Sequence, residues 1–478
     1  MVDLGEIVYF LGAGVNQVIK DWDGHSPPLL ANFFKIALSK RKFENERFSR
    51  HMQPVYDYIE EYFKKTKDDL AKCSFDLELC FTLLEQQIKR AERDNNKPVY
   101  QKLLTIQFRL ASFLAEVLSD FDHFAFRSCT MRNFGKVLFY ENPTIITFNY
   151  DCLLESILET TSGVNPDCPK SFYEPRFLLK SDLPDELLIY SHCKWNRPLG
   201  YGFKFNEIQL QQAGVSKFVK GSRFYSISQN QLYQKPLLKL HGSLNWFRYL
   251  PIRSFPVLPG EPDQRLDEKE NETILKQGTW WFGRPPDHDG WFIEPIIITP
   301  LLYKEKYYND KPFIEIWDLA KKNLSICDKL VVIGYSFSPS DFTTKQLLIE
   351  SLVNNNLKEL VVVNPNHDVV KVVKELCHFE GGIVWFSSLD EYLKTFSNSV
   401  NLESESILIS ETDLPNDTSP HDLYVKCKTC DIEFPAKIRT NPRSFATSQY
   451  HNNTHGCPNG HQNSYDKADY KMKKVEKT

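Results

Sequence analysis

Ile7-Val-Tyr-Phe-Leu-Gly-Ala-Gly14 is a run of five apolar residues followed at once by two glycines flanking an alanine. Such a run, closed by a tight-turn signal, predicts a strand covered on both faces and ending in a glycine turn. The pattern recurs along the chain. Thr144-Ile-Ile-Thr147 runs into Phe148-Asn-Tyr-Asp151, with a helix expected from near Leu153; Pro236-Leu-Leu-Lys-Leu240 runs into His241-Gly-Ser243. Leu330-Val-Val-Ile333 stops at Gly334-Tyr-Ser-Phe337 before a helix near 343–353, and Glu359-Leu-Val-Val-Val363 stops at Asn364-Pro365. Ile296-Ile-Ile-Thr299 reads as a further strand of the same sheet. Strands alternating with helices imply the α/β class, a Rossmann-like parallel sheet whose ligand crevice lies at the carboxyl ends of its strands.

Outward from this frame, residues 29–122 take helical period, with Leu104, Phe108, Ala111, Leu114 and Leu118 on one face, and read as a helical insertion. Residues 160–235 show no clear pattern. Residues 251–290, rich in Pro and acidic side chains, read as a long loop or small insertion flanked by Trp246, Trp280, Trp281 and Trp291, with packing onto the domain as its default role. Residues 403–425 hold six acidic side chains and no Lys or Arg. The expected organisation is therefore a domain over 1–395, an acidic linker over 396–422, and a small module over 423–478.

At 478 residues and a net charge of −4, the chain is long enough for a large core and carries no basic field that would call for nucleic acid. The lysines near the C-terminus are interrupted by Asp466, Asp469 and Glu476 and read as a solvated end. No apolar stretch nears the ~18 residues a bilayer crossing needs. The acidic start lacks the pattern of a signal peptide, and eight of the eleven cysteines are scattered singly, as in a reducing compartment; a cytoplasmic protein is expected.

The polar residues at the strand ends carry the chemistry. Gly12, Ala13 and Gly14 form a turn that lets backbone approach a diphosphate at a helix N-terminus. Asn149 or Asp151 can meet ribose hydroxyls or orient a water, and His241 can move a proton near neutral pH. Singly, each has a plainer explanation: a turn, a helix cap, a core histidine. Cys427-Lys-Thr-Cys430 with Cys457-Pro-Asn-Gly-His461 has the spacing of a closed tetrahedral zinc site, with His455 a rival for the fourth position, and a segment this short depends on its metal to fold.

Taken in order, Phe10-Leu-Gly-Ala-Gly14, Thr147-Phe-Asn-Tyr-Asp151, Leu238-Lys-Leu-His-Gly242, Val332-Ile-Gly-Tyr-Ser336 and Val362-Val-Asn-Pro365 resemble the motifs of the sirtuins, and more closely the bacterial sirtuin-like proteins of phage-defence systems. The resemblance covers roughly residues 6–390. It implies that Gly12, Ala13 and Gly14 approach the NAD diphosphate, that Asn16 is a further cofactor-binding residue, that Gly334, Ser336 and Asn364 hold the adenosine half, and that Asn149, Asp151 and His241 are the catalytic set around the nicotinamide riboside. It further implies NAD hydrolysis as the activity, an activating protein partner or phage-derived trigger, and a homo-oligomer. Zinc is structural in this reading and no catalytic metal is implied.

The departures from the sirtuin pattern bear on substrate. Asn16 stands where deacylases carry Ser, Phe148 where they carry Gln, and the stretch following the glycine turn is Lys20-Asp-Trp-Asp-Gly-His25. The paired Cys-x-x-Cys zinc insertion that deacylases carry after the catalytic His is missing, since none of Cys168, Cys193 or Cys327 has a partner at that spacing. Protein deacylation or ADP-ribosylation, and a non-catalytic NAD or ADP-ribose sensor, are the rival readings.

Overall fold

A computed structural model describes residues 6–162, 195, 197–212, 215–227, 236–249, 272–276, 287–288, 291–302, 304, 308–338, 341–355, 357–403, 419–442, 445, 453–465 and 469–474. These fall into two compact units, 1–403 and 404–478.

The larger unit is built on a six-stranded sheet. Its strands are β1 (Ile7–Leu11), β2 (Thr144–Thr147), β3 (Leu237–Lys239), β4 (Lys329–Ile333), β5 (Glu359–Val363) and β6 (Ile383–Phe386), in the spatial order β3-β2-β1-β4-β5-β6. Every pairing is parallel. Numbered along the chain this is 3-2-1-4-5-6, the doubly wound order, with its switch point between β1 and β4. All five residues of β1 are buried, as a central strand covered on both faces requires, whereas β6 at the edge leaves Val384 and Trp385 exposed. β1 pairs in register with both neighbours, so Leu11, Thr147 and Ile333 end their strands side by side and the turns that follow share one rim of the sheet.

A second six-stranded sheet, mostly antiparallel, was not anticipated. The strand expected over Ile296–Thr299 as part of the parallel sheet is instead Trp291–Ile297, which pairs antiparallel with Gly242–Tyr249. Thr273–Leu275, Asp287–His288 and the hairpin of Glu207–Gln212 with Val215–Lys220 complete it, within stretches read as irregular or as loop. Short strands punctuated by bulges carry too weak an alternation to be seen locally. A bulge in Gly242–Tyr249 sends Leu244 and Phe247 into the core beneath the helices and Trp246 into the core of the parallel sheet. Trp280 and Trp281 lie outside the described residues, as does the acidic stretch over 404–418.

The helical insertion is present, with Phe33–Ser39, Glu46–Phe63, Lys67–Lys72, Leu77–Arg93 and Lys97–Ser119. Asn45, Thr66, Asp76 and Asn96 cap four of these helices through their side chains. Leu114 and Leu118 are buried and Leu104, Phe108 and Ala111 pack against the same core, around Phe33, Phe34 and Phe113. No helix among the described residues is long and apolar enough to cross a membrane.

The smaller unit holds a three-stranded antiparallel sheet, with His421–Lys426 between Glu433–Thr440 and Tyr470–Lys474, and a hairpin of Asn453–Gly456 with Gln462–Tyr465. Its core is small, centred on Leu423, Val425, Phe434 and Tyr465.

Candidate active site and metal centre

The turns after β1 and β4 are locked together. Gly12 N donates to Ile333 O and Gly14 N to Gly334 O, each at 2.9 Å. A side chain on Gly12 would come within 2.5 Å of Gly334 O, and one on Gly14 within 2.7 Å of Gly334 Cα. Gly334 itself has φ +62. Mutual packing of the two turns therefore demands glycine at all three positions, before any ligand is considered. The helix expected after the glycine turn is a short 3-10 stretch, Ala13–Val18. Asn364 is buried beside these turns, its Nδ2 donating to Tyr335 O at 3.1 Å; Ala13 and Ser336 are exposed.

Beyond β2, Asn149 Nδ2 donates to Gly12 O at 3.3 Å, tying the Asn149 loop to the glycine turn. Asp151 accepts from Asn16 Nδ2 at 2.8 Å and from Leu153 N at 3.2 Å. Burial drives the Asp151 carboxyl above its ordinary range, the Lys239 charge pulling the other way and Glu155 adding to the rise. His241, beyond β3, is 6% exposed, edge-on to Phe148 at 5.1 Å and roughly parallel to Tyr150 at 6.1 Å. Burial, helped by the nearby Lys304 charge, holds its pKa well below the usual value, so the imidazole is neutral at pH 7.

Four buried polar atoms here have no partner among the described residues, Asn16 Oδ1, His241 Nε2, Asp122 Oδ1 and Glu155 Oε2, and the first two lie on residues expected to meet a ligand. Asn16 is only 2% exposed, so its oxygen is not answered by bulk solvent. Contacts thus link Gly12, Gly14, Asn16, Asn149, Asp151 and His241 at one rim, with Gly334 and Asn364 adjoining across the switch point.

Aromatic and charged side chains beyond the expected site residues complete the rim. Phe10, Phe148, Tyr335 and Phe337 pack together beneath it, mostly edge-on or tilted, with contacting ring centroids 4.7–6.1 Å apart. Lys239 and Glu155 form an ion pair at 2.6 Å in which both side chains are 1% exposed. Burial works against the Lys239 ammonium, but Glu155 and neighbouring groups outweigh it and raise its pKa. Asp122 is half-buried as a residue, yet its Oδ1 is sealed from solvent with no partner among the described residues, and burial with the nearby Asp151 charge pushes its pKa up to about 8. The available signal was a charged residue inside an apolar run: Lys239 in Leu237-Leu-Lys-Leu240, Glu155 in Leu153-Leu-Glu-Ser-Ile157.

In the smaller unit, ligand atoms of Cys427, Cys430, Cys457 and His461 all lie within 4.8 Å of one another. A zinc tetrahedron with the usual bond lengths has S–S edges of about 3.8 Å and S–N edges of about 3.6 Å. Cys430 Sγ to Cys457 Sγ is 3.8 Å, and His461 Nδ1 is 3.5 Å from Cys457 Sγ and 3.9 Å from Cys427 Sγ. His455 is engaged elsewhere, 2.7 Å from Tyr470 OH, so His461 is the fourth member. Burial disfavours the Cys427 thiolate, but backbone donors of Thr429 and Cys430 outweigh it and bring the thiol to about 6. The donor set fits zinc.

The larger unit thus belongs to the doubly wound α/β class, with its polar cluster at the rim where that class places ligands. No family model matches this sequence, and no curated protein matches it. Among solved structures, it is similar to a Sir2 homologue mutant in complex with ADP ribose, at 11% identity over 84% of this chain and 97% of the other, with a TM-score of 0.35. A Sir2 homologue in complex with NAD matches at 11% identity over 83% and 89%, TM-score 0.33, and a structure described as the basis for the mechanism and regulation of Sir2 enzymes at 12% over 83% and 94%, TM-score 0.32. Likeness this loose says nothing about which residues act; that rests on the side chains themselves.

Proposed function

We propose that this chain is an NAD glycohydrolase, cleaving the N-glycosidic bond of NAD to release nicotinamide and ADP-ribose. The supporting observation is the pair of unanswered buried atoms, Asn16 Oδ1 and His241 Nε2, at the rim of a doubly wound sheet. Leaving a buried polar atom unsatisfied costs about 1–3 kcal/mol, so a ligand that answers both gains that back. Asn16 Oδ1 can only accept, and His241 Nε2 can donate or accept according to tautomer. A nicotinamide riboside offers what they need: ribose hydroxyls and a carboxamide N–H.

In this reading Gly12, Ala13 and Gly14 lie along the diphosphate side, Asn16 meets the nicotinamide riboside, and Gly334, Ser336 and Asn364 flank the adenosine half. As the C1′–N bond lengthens, its electron pair passes to the nicotinamide ring nitrogen, which leaves uncharged, and the ribose takes on oxocarbenium character. Asn149 orients the water whose oxygen bonds to C1′. His241, neutral at pH 7, takes up the proton that this water loses on bonding to C1′, directly or relayed through a ribose hydroxyl that regains its own proton from the water. Asp151 holds the Asn16 amide, and so the orientation of Asn16 Oδ1. The apolar wall of Phe148 and Tyr335 limits other water at the reacting carbon.

The setting we propose is a regulated effector of bacterial anti-phage defence that acts by NAD depletion, as the sirtuin-like defence proteins resembled by the motifs imply. An activating protein partner or phage-derived trigger would release its activity, and the working form would be a homo-oligomer in the cytoplasm. One structural zinc held by Cys427, Cys430, Cys457 and His461 would order the smaller unit.

Product analysis after incubation with NAD tests the reading. Nicotinamide and ADP-ribose in equal amounts, formed without any acceptor, is the expected result. Products formed only with an acylated peptide or an acceptor protein would replace it with deacylation or ADP-ribosylation. Tight NAD binding without turnover, with candidate triggers present, would make the chain a sensor.

A further inference from the structure

The parallel pairing of β2 with β3 ends at Thr147 and Lys239, so the residues that carry Asn149 and Asp151 lie beyond the ladder. Lys239 reaches them with its side chain. Its ammonium donates to the backbone oxygens of both Tyr150, at 3.4 Å, and Asp151, and meets Glu155 Oε1 at 2.6 Å. Glu155 is held in turn by Tyr201 OH at 3.0 Å, and Tyr201 OH accepts from Asn245 Nδ2 at 2.9 Å. The backbone adds one bond, Leu244 N to Tyr150 O at 2.9 Å. Lys239 is two residues from His241, so one short segment carries His241 and grips the loop bearing Asn149 and Asp151.

A buried ion pair is a costly way to fill space; apolar side chains of similar volume often serve as well or better. What an apolar residue cannot do is bind two carbonyl oxygens of one turn. We propose that Lys239 and Glu155 are positioning residues that set the Asn149-Tyr150-Asp151 loop against His241, a role that rests on the NAD-cleaving reading for its catalytic consequence. Glu155 keeps Lys239 charged and aimed, and Lys239 transmits that placement to the loop backbone.

Lys239→Met alone strands a buried carboxylate, so the variant to make is Lys239→Met/Glu155→Gln, neutral and close in volume. Hydrogen exchange over residues 148–153 should quicken about 10-fold or more, while β1 and β4 keep wild-type protection. For NAD cleavage, kcat should fall on the order of 10²-fold from misplacement of the reacting groups, with KM changed less than about 3-fold, because the glycine turns are untouched. A folded variant with wild-type exchange over 148–153 overturns the anchoring, whatever its activity. Faster exchange with unchanged kcat overturns the catalytic positioning. Should the wild-type protein not cleave NAD, the proposed function fails, and exchange alone still decides whether the pair anchors the loop. If the double variant does not fold, Lys239→Arg, which keeps the charge but moves its donors, is measured for the same two readouts, and wild-type behaviour in both overturns the proposal.

Discussion

Gly334→Ala should destabilise the larger unit by an amount that separates two reasons for its glycine. The first is conformational. At φ +62 an L side chain costs about 1–2 kcal/mol. The second is steric. A Cβ on Gly334 would stand 2.5 Å from the carbonyl carbon of Gly14, against backbone that cannot swing aside. Forcing an extra methyl into such a contact costs about 1–3 kcal/mol more, for a total of about 2–5 kcal/mol. Since each 1.4 kcal/mol is tenfold in an equilibrium constant, amides of β1 and β4 that exchange only through unfolding should exchange about 30- to several thousand-fold faster. Gly24→Ala is the control: its φ is +79, but nothing lies within 4 Å of a Cβ there, so it bears only the conformational cost. Hydrogen exchange followed by mass spectrometry on the full chain reads both variants. Gly334→Ala exchanging no faster than Gly24→Ala would show that the two turns do not press on one another, and the account of why residues 12, 14 and 334 are glycine would be wrong.

Asn149→Ala and His241→Ala should each remain folded and lose about 10²-fold or more of NAD turnover; wild-type rates in either would defeat the proposed mechanism. Metal analysis should find one zinc per chain, absent from Cys427→Ser/Cys430→Ser, since half of the ligand set is gone. Unchanged zinc in that variant would place the ligands elsewhere. Asp122, whose carboxyl is raised to about 8 in the folded protein, keeps a proton that the unfolded chain releases above about pH 4. Its contribution is therefore fully present at low pH and is lost as pH rises toward 8, whereas Asn in its place mimics the protonated form at every pH. Melting temperatures of wild type and Asp122→Asn should diverge between pH 5 and 8, the wild type falling behind, and parallel profiles would refute the assignment.

Much of the site was legible without coordinates. The apolar runs at β1, β2, β3, β4 and β5 are short, continuous and stopped by Gly, Asn or His, so both the strands and the polar ends that make the rim follow from residues adjacent in the chain. The Cys427, Cys430, Cys457 and His461 cluster was readable for a related reason: each half is a local turn with its side chains at fixed spacing, and only the choice between His455 and His461 needed the fold. That choice turned on Tyr470, which takes up His455.

What sequence could not decide lies in contacts between residues far apart along the chain. Whether Trp291–Ile297 extends the parallel sheet or turns back against Gly242–Tyr249 is a question of pairing partner, and an apolar run is compatible with either. Asn16 meets Asp151 across 135 positions and Lys239 meets Glu155 across 84; nothing in either neighbourhood announces the other. Local sequence determined where strands begin and end, because backbone propensity and hydrophobic period act over a few residues. The strand order, the neutral buried His241, the raised carboxyls of Asp122 and Asp151 and the ammonium gripping the Asn149 loop were decided by tertiary structure alone, because burial and charge pairing depend on what the rest of the chain brings alongside.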